Sequence, residues 1–352
     1  MAQRRGQELI DSIPGLDFVI GTDSLELVSR IAEEGLETGV FNQTGLFTGE
    51  GLVSSSTMRD DDGISGFVAI SRGCSNFCTY CIVPYVRGPL RSRPAEDILK
   101  EVNLLYEKGK KEITLLGQNV NSYDYKGVKF SGLLKMMLEE TDVPRIRFTT
   151  SHPKDFTQDI VDVIASSNRF AHDIHLPLQS GSDDMLLAMN RKYNYKHYRE
   201  IVRSLKIVDD NISITSDILV GFPGESDTDF QQTVKAIEET VYSGFFSFQY
   251  SVRPGTKGSE LDNNIPPEIM LKRLQHVIEM GQKAAVNYSQ RQIGRTLHVL
   301  VEKVDKKDNT LIRGRAENGR VVVFKGAGEL IGSIVPVRIE GATTWTLKGA
   351  ME

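Results

Sequence analysis

Three residues in this chain have the type and spacing to hold a metal cluster: Cys74, Cys78 and Cys81, its only cysteines, set as C-x3-C-x2-C. Three thiolates on one short loop can hold three irons of a four-iron, four-sulfur cluster. The fourth iron is then left without a protein ligand and can bind a small chelating molecule, which is what a catalytic cluster needs. A structural zinc site wants four ligands and is usually built from two separated pairs. Here there is no fourth cysteine, and no histidine lies near in sequence. A disulfide framework prefers an even cysteine count in a short secreted chain, and this chain of 352 residues has neither property.

A repeated pattern of strand then helix from Ser65 to about Lys257 must position that loop. Candidate strands are GFVAIS, KEITLLG, IRFTTS, HDIHLPL, ISITSDILVG and FFSFQYS. Helical stretches such as PAEDILKEVNLLYEKG and SDTDFQQTVKAIEETVYSG lie between them, the first with Pro94 near its start and Gly109 near its end. Six strands at this rhythm predict an α/β fold with a parallel sheet buried on both faces. Such repeats put ligand-binding groups at the C-terminal ends of the strands.

The residues at those ends are therefore site candidates, each with a structural alternative. Gly117 gives a ligand room to approach, while Gln118 and Asn119 offer amides, although Asn119, Asn121 and Ser122 also suit a turn. Ser151 and His152 close the third strand, and Gln179 and Ser180 close the fourth ahead of Gly181. Arg191 can pair with a carboxylate in bidentate fashion, or form a surface ion pair. Asp217 sits within an apolar strand and must face a polar partner or a cavity. Gly221 and Gly224 supply a turn there, and Glu225 opens the next helix. Arg72, Arg87, Arg91 and Arg93 surround the cysteine loop, where cations suit either thiolates or an RNA phosphate.

A further helix, opened by Pro266 and Pro267, leads to residues 290–352. There TLHVLVEKV, LIRGRAENGRVVVFKG and SIVPVRIEGATTWTLKG read as short strands between Asn/Gly/Lys turns, a small β-barrel by pattern. Arg313, Arg315, Arg320 and Lys325 crowd two adjacent strands, as a solvated face or as phosphate contacts. From Arg291 to Glu352 eleven Lys and Arg face seven Asp and Glu, a surplus of four that leaves the rest of the chain at −9 against a total of −5. A basic appendage on an acidic body suits an enzyme that grips RNA through a dedicated module. The lone Trp345 and the scattered methionines read as core.

Residues 1–60 carry an amphipathic helix (GQELIDSIP), a short strand (LDFVIGT) and a second helix (SLELVSRIAEEGL), with 47–63 as a Gly/Ser/Asp-rich linker. One strand between two helices cannot bury both sheet faces, so this segment reads as the remnant of a larger domain. No apolar run reaches the length of a membrane span, and the N-terminus lacks the apolar core of a signal peptide. The expected location is cytoplasmic, where thiolates stay reduced.

The cysteine motif with Tyr80 before its last Cys resembles the signature of the radical S-adenosylmethionine (SAM) enzymes. SRGCSNFCTYCIVPYVRG, LLGQNVNSY, HLPLQSGSD, DILVGFPGE and GRAENGRVVVFKG together resemble the methylthiotransferases of that family, over nearly the whole chain. The resemblance implies an open (β/α)6 partial barrel over 61–289 and a TRAM-like RNA-binding barrel over 290–352. It implies a [4Fe-4S] cluster on Cys74, Cys78 and Cys81, whose open iron chelates the amino and carboxylate groups of SAM. An electron from a donor such as flavodoxin or ferredoxin would then cleave SAM to a 5′-deoxyadenosyl radical. Tyr80, Gln118, Ser151, Gln179, Arg191 and Asp217 are the expected SAM-site residues, and Arg313, Arg315, Arg320 and Lys325 the expected RNA contacts. The implied substrate is an isopentenylated adenosine beside the anticodon, in the stem-loop of a tRNA, and the implied state is a monomer. Threonylcarbamoyladenosine or a ribosomal protein aspartate are the alternatives within the family; a non-catalytic RNA-binding protein with a structural cluster is the alternative outside it. The family also uses an auxiliary [4Fe-4S] cluster on three cysteines of an N-terminal domain. The sequence opens MAQRRG as if cut just after the last of these, so those ligands are expected to be missing.

Overall fold

The computed structural model describes residues 2–22, 24, 28, 31, 41–43 and 63–352. Its central feature is six parallel strands taken in chain order: β1 (Ser65–Ala69), β2 (Glu112–Leu116), β3 (Arg145–Phe148), β4 (Asp173–His175), β5 (Ser213–Val220) and β6 (Gly244–Gln249). β1, β2 and β3 pair side by side, as do β4, β5 and β6. The two halves join where Ile146 bridges Phe170, with Ile146 N–H donating to Arg169 O at 2.7 Å. Helices α1 (Ala95–Glu107), α2 (Phe130–Glu140), α3 (Gln158–Ala165), α4 (Tyr195–Val208) and α5 (Asp227–Glu239) fill the crossovers. This is the open (β/α)6 partial barrel that the sequence pattern and the resemblance led us to expect.

Local chemistry explains these boundaries. α1 follows Pro94, carries Glu96 and Asp97 in its first turn and ends ahead of Gly109 at φ +90°. α5 opens with a reciprocal capping box between Ser226 and Asp229. The strands supply Val68, Ile113, Leu115, Ile146, Ile174, Ile214 and Ile218 to one continuous core with the helices.

α6 (Pro267–Gln290) packs along β6, where Phe245 lies against Gly281. It leads into β7 (Thr296–Val304), β8 (Leu311–Ala316), β9 (Val321–Lys325), β10 (Ile334–Ala342) and β11 (Thr346–Met351), which close as β7-β8-β9-β11-β10. This barrel has its own core, with Val299, Val301, Ile312, Val322, Phe324, Val337 and Leu347 at its centre.

The small barrel docks on the N-terminal ends of the core strands. Arg145 donates to the main-chain oxygens of Arg315 (2.7 Å) and His298 (2.9 Å). Gln292 Nε2 reaches Asn211 Oδ1 at 2.8 Å, and Tyr288 OH donates to Asn211 O at 2.6 Å. Arg320, expected to face RNA, is only 7% exposed; it lies between the rings of Tyr288 and Trp345, 5.1 Å from each, and donates to Ser243 O. Trp345, expected in the core, is 57% exposed and covers this contact.

Near the N-terminus, the helix Ala2–Ser12 precedes the strand Phe18–Ile20, which pairs in parallel with Phe41–Gln43. That second strand was not expected from the sequence. Thr22 ties the segment to the cysteine loop: its main-chain oxygen accepts from Arg72, and its Oγ1 donates to Val86 O at 3.1 Å. The expected helix over 24–36 and linker over 47–63 fall almost wholly outside the described residues.

Candidate functional site

The cysteine loop leaves β1 and is closed at its base by a two-residue antiparallel ladder, Ser71–Arg72 against Arg91–Ser92. Gly73 opens it at φ +77°, where an added Cβ would lie 2.1 Å from Pro89 O, so glycine is required. Gln118, at the end of β2, accepts the Gly73 N–H at 2.6 Å. Cys74 N–H donates to Gly88 O at 3.1 Å, and Cys81 N–H to Cys78 O at 2.9 Å. The far side is gripped by the segment after the short helix Asp183–Ala188: Thr79 bonds Ala188 O and Met189 O, and Asn190 donates to Phe77 O. All three cysteines are free thiols, Cys78 buried and the other two half-buried. Burial raises the Cys74 thiol and pushes Cys81 up to about 11, so iron binding must displace protons there.

The other expected residues gather at the same end of the barrel. Ser151 and Gln179 are buried, and Gln179 takes φ +71° while its backbone bridges β5 at Asp217 and Leu219. Thr150, Asn190 and Lys192 also hold positive φ here, a concentration of backbone strain characteristic of functional ends. The hydroxyl of Ser151, that of Ser71 and the side-chain oxygen of Asn119 are buried without a hydrogen-bond partner among the described residues. Such orphans fit a polar ligand that completes them. Gly117 is filled rather than open, because Ser71 Oγ lies 2.6 Å from where a Cβ would stand. Glu225 is structural: it is buried, and its carboxylate accepts from Gly221 N–H at 2.8 Å and from Arg273 at 2.7 Å.

Arg191 is 4% exposed and faces the cysteines, not the surface. It donates to Cys78 Sγ (3.4 Å), Tyr80 OH (3.4 Å), Pro177 O (2.9 Å) and Tyr193 OH (3.2 Å). His152, also buried, places Nε2 3.9 Å from Cys78 Sγ. Burial and then Arg191 push its pKa down to about 2, so the ring is neutral. Sequence reasoning left His152 as an undecided loop residue, because only the fold brings it to the cysteines.

Further down the strands, register puts Thr215, Asp217 and Leu219 of β5 on one face with Phe246 and Phe248 of β6. The opposite face, with Ile218 and Phe245, packs on the helices, so this row faces the hollow of the barrel. Asp217 has the partner its apolar setting demands: His175 Nε2, 3.5 Å from its carboxylate. Phe246 is 64% exposed in this row.

On the small barrel, Arg313 lines a pocket of about 330 Å³ with Lys303, Lys306 and Lys307, three lysines that sequence reasoning passed over. Arg315 is half-buried and paired with Glu302 at 3.2 Å, and Lys325 is exposed. Among the described residues no group of three His, Cys, Asp or Glu converges as if on one metal ion. A cluster does not ask for that, since its cysteines bind different irons.

Comparison with known proteins agrees with this geometry. Residues 68–237 match the Radical SAM superfamily and residues 290–351 the TRAM domain, so the chain is a radical SAM protein with a TRAM barrel. It is 40% identical over 96% of its length to the tRNA-2-methylthio-N(6)-dimethylallyladenosine synthase of Desulforamulus reducens, covering 75% of that protein. To the synthase of the same name from Carboxydothermus hydrogenoformans it is 38% identical over 99% of its length, covering 80% of the relative. The chain belongs to the tRNA-2-methylthio-N(6)-dimethylallyladenosine synthase family. Among solved structures, coproporphyrinogen III oxidase from Escherichia coli is similar at 13% identity and a TM-score of 0.49, over 74% of this chain and 68% of that one.

Proposed function

We propose that the chain acts in the 2-methylthiolation of N6-isopentenyladenosine beside the anticodon of tRNA. The observation that carries this reading is the cysteine loop, with its three free thiols, held at the C-terminal end of a six-stranded partial barrel in a chain of this family. Residues 61–289 form the catalytic core and 290–352 the RNA-binding barrel. Cys74, Cys78 and Cys81 would hold the [4Fe-4S] cluster. When bound, the cluster and SAM supply one-electron chemistry, with the electron from a flavodoxin- or ferredoxin-type donor, that can act on an adenine C–H bond offering no acid–base handle.

The chain's own residues position and shield. Gln118 fixes the loop through Gly73 N–H. Ser151 and Asn119 offer their unpartnered polar atoms to SAM beside the loop. Asp217 and His175, with Phe246 and Phe248, give the target base a polar edge and an aromatic face inside the barrel. Lys303, Lys306, Lys307 and Arg313, around Asp305, and the exposed Lys325 present net positive charge to phosphates. The auxiliary cluster implied by the resemblance would need ligands other than these three cysteines.

Anaerobic reconstitution tests the reading. The chain should bind about four irons and, with SAM and a strong reductant, release 5′-deoxyadenosine. A reconstituted chain that binds iron but leaves SAM intact would refute it.

A further inference from the structure

Cys78 differs from the other two cysteines in what faces its sulfur. Arg191 Nη1 lies 3.4 Å from Cys78 Sγ, and His152 Nε2 lies 3.9 Å from it on another strand end. For Cys74 and Cys81 the hydrogen bonds at the thiol come from the backbone, at Asn76 and Val83.

The direction of the His152 contact can be read from its other nitrogen. Lys154 N–H donates to His152 Nδ1 at 3.2 Å. A backbone amide only donates, so Nδ1 is the acceptor and carries no proton, and the ring's proton sits on Nε2, facing Cys78. The ring cannot turn away easily. Asn121 clamps the His152 backbone at both N–H (2.8 Å) and C=O (2.9 Å), and Tyr193 packs edge-on at 5.7 Å.

Arg191 is more constrained still. Its donors are directed at Cys78, Tyr80, Tyr193 and Pro177 of this chain, and its guanidinium lies 5.3 Å from the centre of the Tyr193 ring. Among the described residues no carboxylate pairs with it. A buried cation without a counter-charge is costly. The negative charge it lacks is what Cys78 acquires on becoming a cluster ligand.

We propose that Arg191 and His152 are a pair of positioning residues directed at Cys78, donating to its thiolate in the assembled cluster and raising the cluster's reduction potential. The reduced cluster carries one more negative charge than the oxidised one. A cation and an N–H at a ligand sulfur therefore stabilise the reduced form more, as hydrogen bonds to cluster sulfurs do in general. The inference rests on the cluster reading given above.

The test is the midpoint potential of the reconstituted full chain without SAM, by EPR-monitored redox titration, with iron counted in each sample. R191M should shift the potential to more negative values, and H152L should shift it the same way by less. H152Q, whose amide nitrogen can stand where Nε2 stands, should return it towards the original value. Unchanged potentials in R191M and H152L at full iron content would overturn the proposal. A chain of the original sequence that takes up no iron overturns the cluster reading instead. If either variant loses its iron, the original sequence labelled with 15N-histidine decides. Pulsed EPR of its reduced cluster should show a histidine nitrogen coupling, and its absence overturns the role of His152.

Discussion

Arg147 Nη2 donates to the main-chain oxygen of Ala316 at 2.8 Å, and so joins β3 to the end of β8. The same guanidinium pairs with Glu112 at 2.6 Å and Asp173 at 3.0 Å, the first residues of β2 and β4. The RNA-binding barrel is therefore fixed to the N-terminal ends of the strands, while the cysteines lie at their C-terminal ends. Strands of this length, at about 3.3 Å per residue, separate the two by roughly 15–25 Å. A tRNA gripped at the small barrel would have to run along the outside of the core to reach the cysteine loop.

Replacing Arg147 by Met should loosen this junction. The substitution leaves Glu112 buried with its charge uncompensated, a loss of about 3–5 kcal/mol when one partner of a buried pair is removed. Denaturant unfolding of the full chain should show a lower midpoint, and limited proteolysis should open the 291–295 connection. A midpoint equal to that of the parent chain would argue that the network carries no net stability.

Arg320 and the lysine pocket should separate cleanly in RNA binding. R320A removes a buried side chain packed on Tyr288 and Trp345 and bonded to Ser243 O, so it should lower stability and leave the salt slope of tRNA binding unchanged. Combining K306A, K307A and R313A should weaken tRNA binding and reduce the slope by about 0.9 for each phosphate no longer neutralised. An equal slope in the triple variant would make that pocket an idle solvated face.

The alternation of strand and helix signals was enough to place all six core strands, because each strand carries apolar residues such as Ile113, Leu115, Ile214 and Ile218 that pack under the helices. The small barrel was equally legible from its turns. What the sequence could not show was direction. Arg313 and Arg320 are both arginines near one hairpin, yet one lines an open pocket and the other is buried under Trp345, a difference set by where the barrel docks. The Asp217–His175 pair and the approach of His152 to Cys78 were hidden in the same way, since the residues of each pair lie far apart in the chain.

Gly73→Ala should cost the chain its iron although every cysteine remains. The added methyl would stand 2.1 Å from Pro89 O and 2.5 Å from Gly88 O, and φ is +77°, so the loop entrance must deform. Iron content after reconstitution is the readout, expected to fall well below that of the parent chain. Gly88→Ala is the comparison: it also has positive φ, at +74°, but among the described residues nothing lies within 4 Å of an added Cβ, so more iron should be kept. Full iron in G73A would show that the close approach is not needed to bring the three thiols together.

The aromatic row inside the barrel should be felt in which tRNA the chain prefers. Phe246 stands beside Asp217 in the strand register and Phe248 beside Leu219, both on the face turned from the helices. Phe246 is 64% exposed, so a planar base can lie on it. Stacking of a base on an aromatic ring contributes about 1–3 kcal/mol to both stem-loops alike; the preference comes from the isopentenyl group, at about 0.8 kcal/mol for each CH2 it buries. The parent chain should therefore bind an isopentenylated anticodon stem-loop at least about tenfold more tightly than the unmodified one, since 1.4 kcal/mol is a factor of ten. F246S should erase most of that preference while leaving iron content and SAM cleavage without RNA intact, because the ring is 64% exposed on its strand. Equilibrium binding of the two stem-loops, measured side by side at one salt concentration, checks this. A preference kept in full by F246S would mean that the base is read elsewhere in the barrel.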